Sequence, residues 1–91
     1  MKRVPRTLRK GQLVVLHWLD ASWAREVEGG AHVTPTRAKT VGWIRKRTDR
    51  SISVQGETFP DDPDMETGRD VTTVTAEMLR RVRVLADVGE T

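Results

Sequence analysis

The residues of this chain that could do chemistry are two histidines, a run of carboxylates and several clusters of cations. His17 has Asp20 three positions later, but in an extended strand these side chains point to opposite faces, so we expect no metal or proton-transfer pair. His32, near Gly29 and Gly30, is predicted to be an exposed loop residue. The chain has no cysteine, which excludes disulfides and thiolate metal sites. These residues predict no catalytic centre, no metal site and no cofactor.

The run of carboxylates falls in a predicted loop. It has only part of the spacing of a calcium-binding loop, since Pro60 and Pro63 interrupt it and the required glycine and closing glutamate are missing. We therefore interpret it as a solvated acidic loop, formed by Asp61, Asp62, Asp64 and Glu66.

The cations are concentrated in the first half of the chain. Residues 1–50 contain 12 Lys or Arg against 4 Asp or Glu, a net charge of +8, whereas residues 51–91 contain 4 against 9, a net charge of −5. Basic clusters can neutralise phosphates, which supports sequence-independent binding to nucleic acid. The alternative is that they form only the solvated faces of a small domain. The clusters are Lys2, Arg3, Arg6, Arg9 and Lys10; Arg45, Lys46, Arg47 and Arg50; and Arg80, Arg81 and Arg83.

Two pairs of arginines are predicted to share strand faces. Alternation along a strand places Arg45 with Arg47, and Arg81 with Arg83. A loop tryptophan beside Arg25 adds a ring on which a base could stack, worth about 1–3 kcal/mol. The candidate nucleic-acid-binding residues are therefore Arg45, Arg47, Arg81, Arg83, Lys10 and Trp23. One conflict follows, because Arg45 then shares its face with Trp43, which we assign to the core.

The composition indicates which elements must position these residues. The large aliphatic residues are 12 Val, 6 Leu and 2 Ile, and β-branched side chains favour strands. Ninety-one residues are enough for one domain with one modest core. No apolar stretch is long enough for a membrane span or follows the N-terminal charges as in a signal peptide, so we expect a cytoplasmic protein.

Alternation and turn residues predict five short strands. The strands are expected at 12–19, 40–47, 51–55, 70–74 and 79–85, separated by long loops at 20–39 and 56–70. Gly42 inside the second strand predicts a bulge or a sharp bend. A single helical turn at 75–78, capped by Thr75, is expected before the last strand. The alternative is a helix over 76–85, since Leu79, Val82 and Leu85 also recur at helical spacing.

Short, twisted strands leave exposed edges unless the sheet curls, so we predict a mainly β fold, a five-stranded partly open barrel over residues 11–85. Residues 1–10 are expected to form a basic N-terminal arm, and residues 86–91 a C-terminal tail. The predicted core consists of Val14, Leu16, Trp18, Val41, Trp43, Ile52, Val54, Val74, Leu79, Val82 and Leu85.

Several segments carry a resemblance to a known group. The first strand ends in Trp18 followed by Asp20, a Gly42-Trp43 pair opens the second strand, and VTAEMLRRVRVL at 74–85 closes the domain. This order resembles small, mostly uncharacterised SH3-like barrel proteins of phage and bacterial origin, over about residues 11–85. The resemblance implies an SH3-like barrel with a 3₁₀ turn before the last strand. It implies little about activity, since such folds carry many functions.

Two functions from different classes follow. The first is a non-catalytic module that binds nucleic acid or a nucleotide through its basic face. The second is a protein-interaction module, of phage origin in keeping with the resemblance, that assembles into homo-oligomers by pairing the edges of its sheet. We expect no enzymatic activity and no membrane partner.

Overall fold

The computed structural model describes residues 1–20, 36–58 and 68–87, and in them five antiparallel strands form one sheet. The predicted mainly β fold is confirmed. The strands are β1 (Leu13–Asp20), β2 (Thr36–Arg47), β3 (Ser51–Thr58), β4 (Gly68–Thr75) and β5 (Leu79–Ala86). They lie in the order β4-β3-β2-β1-β5, and the sheet is not closed, because β4 and β5 end it without pairing with each other.

The twelve-residue strand β2 belongs to both halves of the sheet. Residues 36–43 pair with β1, and residues 43–47 pair with β3. A bulge leaves Arg45 as the extra residue, because Ile44 lies opposite Val54 and Lys46 lies opposite Ser53. Bulges increase the local twist of a strand. The bulge therefore helps β2 to turn from one half of the sheet to the other.

Gly42 marks the place where β2 approaches β3 most closely. A Cβ atom on Gly42 would lie 2.8 Å from the backbone oxygen of Gln55 and 3.2 Å from Cβ of Val54. Only a residue without a side chain fits this position. The bulge predicted at Gly42 lies instead between Ile44 and Lys46, and Gly42 itself is the point of close approach.

The core lies on one side of the sheet. Its buried side chains are Val4, Leu8, Val14, Leu16, Ile44, Ile52, Val54, Val74, Ala76 and Leu79, with Trp18, Met78 and Val82 packed against them. The predicted face of β2 was wrong: Gly42 and Ile44 are buried, whereas Val41 is 52% exposed. Leu85, also predicted in the core, is 45% exposed. Both faces of β2 carry apolar residues, so alternation alone could not identify the buried one.

The N-terminal residues, expected to form an arm, contribute to the core. Val4 is fully buried and Leu8 nearly so. The Val4 amide donates to the Asp49 carbonyl at 2.9 Å, and the Met1 amino group donates to the carbonyls of Ala76 and Leu79, both at 2.8 Å. This segment is therefore held against the turn between β2 and β3 and the turn before β5.

The turn before β5 is present, and the alternative helix over 76–85 is wrong. The Met78 amide donates to the Thr75 carbonyl at 3.1 Å, which closes a single turn over residues 75–78. The chain then continues as β5, whose pairing with β1 satisfies backbone groups that a helix would have used internally. Across the described ranges, no helix is long and apolar enough to span a bilayer.

Candidate phosphate-binding face

The side of the sheet that faces away from the core carries basic side chains on three neighbouring strands. Paired residues of adjacent strands point to the same side. Lys39 of β2, His17 of β1 and Arg81 of β5 therefore form one row across the sheet. We refer to one set of these outward side chains as the basic face: Arg37, Lys39, His17, Arg81 and Arg83.

The neighbouring rows extend this face in both directions. Arg83 lies opposite Val15, which lies opposite Val41, and on the other side Arg37 lies opposite Leu19. The cations of β2 and of β5 lie on either side of β1, about 10 Å apart, and within each strand they are two positions, or about 7 Å, apart. Among the described residues that point outward on these three strands there is no carboxylate. Within the described residues, the basic face thus concentrates positive charge on one side of the sheet.

A shallow cleft continues the basic face beyond Arg37. It is lined by Leu19, Arg37 and Arg80. The Arg80 guanidinium donates from Nη1 to the Glu77 carbonyl at 2.5 Å and to the Leu79 carbonyl at 3.2 Å. These bonds fix the guanidinium beside the cleft, while the remaining nitrogen atoms keep donors for an anion.

An aromatic ring borders the basic face. Trp43 points to the same side as Val41, two positions along β2, and lies between Leu13 of β1 and Gln55 of β3. It is half-buried. Its register neighbours are therefore an aliphatic residue on one strand and an amide on the other.

Gln55, the neighbour of Trp43, is an unusual buried amide. Its side chain is fully buried, and neither Nε2 nor Oε1 has a hydrogen-bond partner in the described part of the structure. An unsatisfied buried polar group costs about 1–3 kcal/mol. Among the described residues, this buried amide at the register position beside Trp43 thus has no hydrogen-bond partner.

The structure brings together some of the sequence-predicted residues and separates others. Arg81 and Arg83 share the outward side of β5 as expected. The expected pairing of Arg45 with Arg47 is wrong, because the bulge at Arg45 shifts the alternation and places Arg47 opposite the core residue Ile52. Arg47 is mostly buried, with Nη1 3.7 Å from Asp49 Oδ1.

Lys10 lies at the other end of β1 from Arg81. Gly11, which follows it, has a φ of 90°, and its amide donates to the Ile44 carbonyl at 2.7 Å. This places Lys10 beside the bulge of β2, with the Arg45 segment. Trp23, His32 and the predicted acidic loop lie outside the described residues.

Sequence reasoning missed Arg37 and Lys39 because it assigned residues 20–39 to a loop. The signal was present, since Arg37, Lys39, Val41 and Trp43 alternate along one side of β2. Charged residues at the start of a strand weaken its apolar pattern, which explains why the predicted strand began only at residue 40.

No group of three or more metal-ligating side chains comes together among the described residues. No known family model matches the chain, and neither the curated proteins nor the solved structures include a match to it. The function is therefore inferred from the chain's own geometry and charge.

Proposed function

We propose that this protein is a non-catalytic module that binds the phosphate backbone of a nucleic acid on its basic face. The observation that carries the proposal is the row formed by Lys39, His17 and Arg81, flanked by Arg37 and Arg83, with no carboxylate among its described outward neighbours. Like charges gathered on one face repel one another in the free protein. A polyanion would relieve that repulsion and release its own counterions.

Trp43 supports a nucleic acid over other polyanions. Its ring borders the basic face, and stacking of a base on an aromatic ring contributes about 1–3 kcal/mol. Phosphate contacts would position the strand, and Trp43 would take a base.

The same proposal includes an SH3-like barrel as the architecture. It is supported by the strand order, by the shared strand β2 and by the single turn at 75–78 before β5. In this arrangement the exposed side of the curled sheet is available to an extended ligand.

Binding should weaken steeply with salt. Arg37, Lys39, Arg81 and Arg83 offer four permanent charges, and each phosphate neutralised contributes about 0.7 to the salt slope for a single strand. We therefore expect log K to fall with log salt with a slope of roughly −3. Fluorescence anisotropy of a labelled single-stranded oligonucleotide between low and moderate salt measures it. An affinity that does not change with salt would contradict the proposal.

A second candidate function is assembly with a second copy of this chain. β4 and β5 end the sheet, and both carry exposed apolar residues: Val71 is 44% exposed and Leu85 is 45% exposed. Exposed apolar residues on an edge strand favour pairing with another strand. β5 also carries Arg81 and Arg83 of the basic face, so the two functions are tested separately by changing Leu85 and leaving both arginines in place.

If β5 pairs between copies, Leu85→Lys should dissociate the assembly while Val41→Lys should not. Val41 is equally apolar and is 52% exposed, but it lies in the interior strand β2. Sedimentation equilibrium of the wild-type chain and both variants measures the mass. A wild-type chain that stays monomeric at the highest concentrations would remove this candidate.

A further inference from the structure

A second group of cations surrounds a cleft between the N-terminal segment and the turn that joins β2 to β3. The cleft has a volume of about 370 Å³ and is lined by Lys2, Arg3, Arg6, Asp49 and Arg50. This volume is within the range of small-ligand sites. None of its lining residues belongs to the basic face.

The backbone on both sides of the cleft is fixed by hydrogen bonds. On one side, the Met1 amino group and the Val4 amide are bonded, and the Val4 side chain is buried. On the other side, the Arg50 carbonyl accepts from the Ala76 amide at 2.8 Å, and the Arg50 amide donates to Thr48 Oγ1 at 3.2 Å. Lys2 and Arg50 therefore start from fixed positions, which reduces the entropy lost when they close on a ligand.

The charges in the cleft are not balanced. Four cations face one carboxylate, a net charge of +3. That carboxylate, Asp49, is 4.0 Å from Arg6 Nε and is also shared with Arg47. Exposed ion pairs of this kind contribute little stability. A neighbouring cleft shares Lys2 and Arg50 and contains one further carboxylate, Glu77.

We infer that this cleft binds a compact group of phosphates, such as a diphosphate or triphosphate, through Lys2, Arg3, Arg6 and Arg50. Four cations converging on a small volume match an anion that carries several charges on adjacent phosphates. An extended nucleic-acid backbone, with one charge per nucleotide, would use fewer of them at once. Guanidinium groups can each donate two parallel hydrogen bonds to phosphate oxygens. The inference is independent of the function proposed for the basic face.

The full chain should bind inorganic pyrophosphate and a nucleoside triphosphate in isothermal titration calorimetry. Similar affinities for the two ligands would show that the cleft recognises the phosphates alone. Tighter binding of the nucleoside triphosphate would show that it recognises a nucleotide. Lys2→Ala combined with Arg50→Ala should weaken pyrophosphate binding at least tenfold. Arg50→Lys keeps the charge but cannot donate two parallel hydrogen bonds, so it should retain only part of the binding.

The matched control is Arg9→Ala combined with Lys46→Ala, which removes the same charge from exposed residues outside the cleft. An equal loss in this control would overturn the inference, as would the absence of saturable pyrophosphate binding by the wild-type chain. Arg3→Ala with Arg6→Ala provides a second cleft variant if the first fails to fold. Arg81→Ala with Arg83→Ala should leave pyrophosphate binding unchanged. A failure of the cleft inference can therefore be distinguished from a failure of the function proposed for the basic face.

Discussion

Replacing Gly42 with alanine is expected to lower the free energy of unfolding by about 3 kcal/mol, because overpacking on this scale forces backbone to move. The new Cβ would lie 2.8 Å from the Gln55 carbonyl oxygen, and the atom that it meets belongs to the backbone rather than to a flexible side chain. This clash can be relieved only if β2 and β3 move apart at Gly42, where β2 leaves one half of the sheet and enters the other. Urea unfolding followed by circular dichroism measures the change.

Gly56→Ala is the control for this prediction. A Cβ at Gly56 would meet Cβ of Asp70 at 3.4 Å, which is an ordinary contact. Replacing a glycine without strain changes stability by less than about 1 kcal/mol and often raises it by restricting the unfolded chain. If Gly42→Ala is as stable as Gly56→Ala, the close approach of the two strands is not present in solution.

Arg81→Ala combined with Arg83→Ala should weaken oligonucleotide binding roughly 100-fold, since hydrogen bonds to a charged group contribute about 1.5 kcal/mol or more each. The salt slope should also become shallower by about 1.4, which corresponds to two phosphates no longer neutralised. Both residues are exposed, so the free energy of unfolding should change by less than about 0.5 kcal/mol. Anisotropy titrations at several salt concentrations measure affinity and slope together.

The pair Arg9→Ala with Lys46→Ala again removes two exposed charges, but from outside the basic face. Its effect on oligonucleotide affinity should be small at moderate salt, where distant charges are screened. Equal losses in the two double variants would show that net charge, and not the basic face, determines binding.

The strands could largely be predicted from sequence, because their pattern is local. Val14 and Leu16 alternate with Leu13 and Val15, and Thr75 begins a turn that the hydrogen bond to Met78 closes. The choice of face in β2 could not be predicted. It depends on the contact of Gly42 with Gln55, two residues that only tertiary structure brings together.

The candidate site was predictable only in part, for the same reason. Arg81 and Arg83 follow simple alternation, whereas the bulge at Arg45 has no local signature beyond the nearby glycine. Lys39 and Arg81 lie in one row only because His17 of β1 is opposite Lys39 of β2 and also opposite Arg81 of β5. The buried roles of Val4 and Leu8 were hidden by the cations around them in the sequence.

The position of the N-terminal segment also has a kinetic consequence. Val4 and Leu8 share one core with Ala76 and Leu79, and β5 pairs only with β1 in the described sheet. Most of the contacts that hold the fold therefore join residues far apart along the chain. High contact order slows folding, typically to milliseconds or longer. A nascent chain cannot complete this core before Leu79 has been synthesised. The pairing of β1 with β5 is therefore delayed until nearly the whole chain is made.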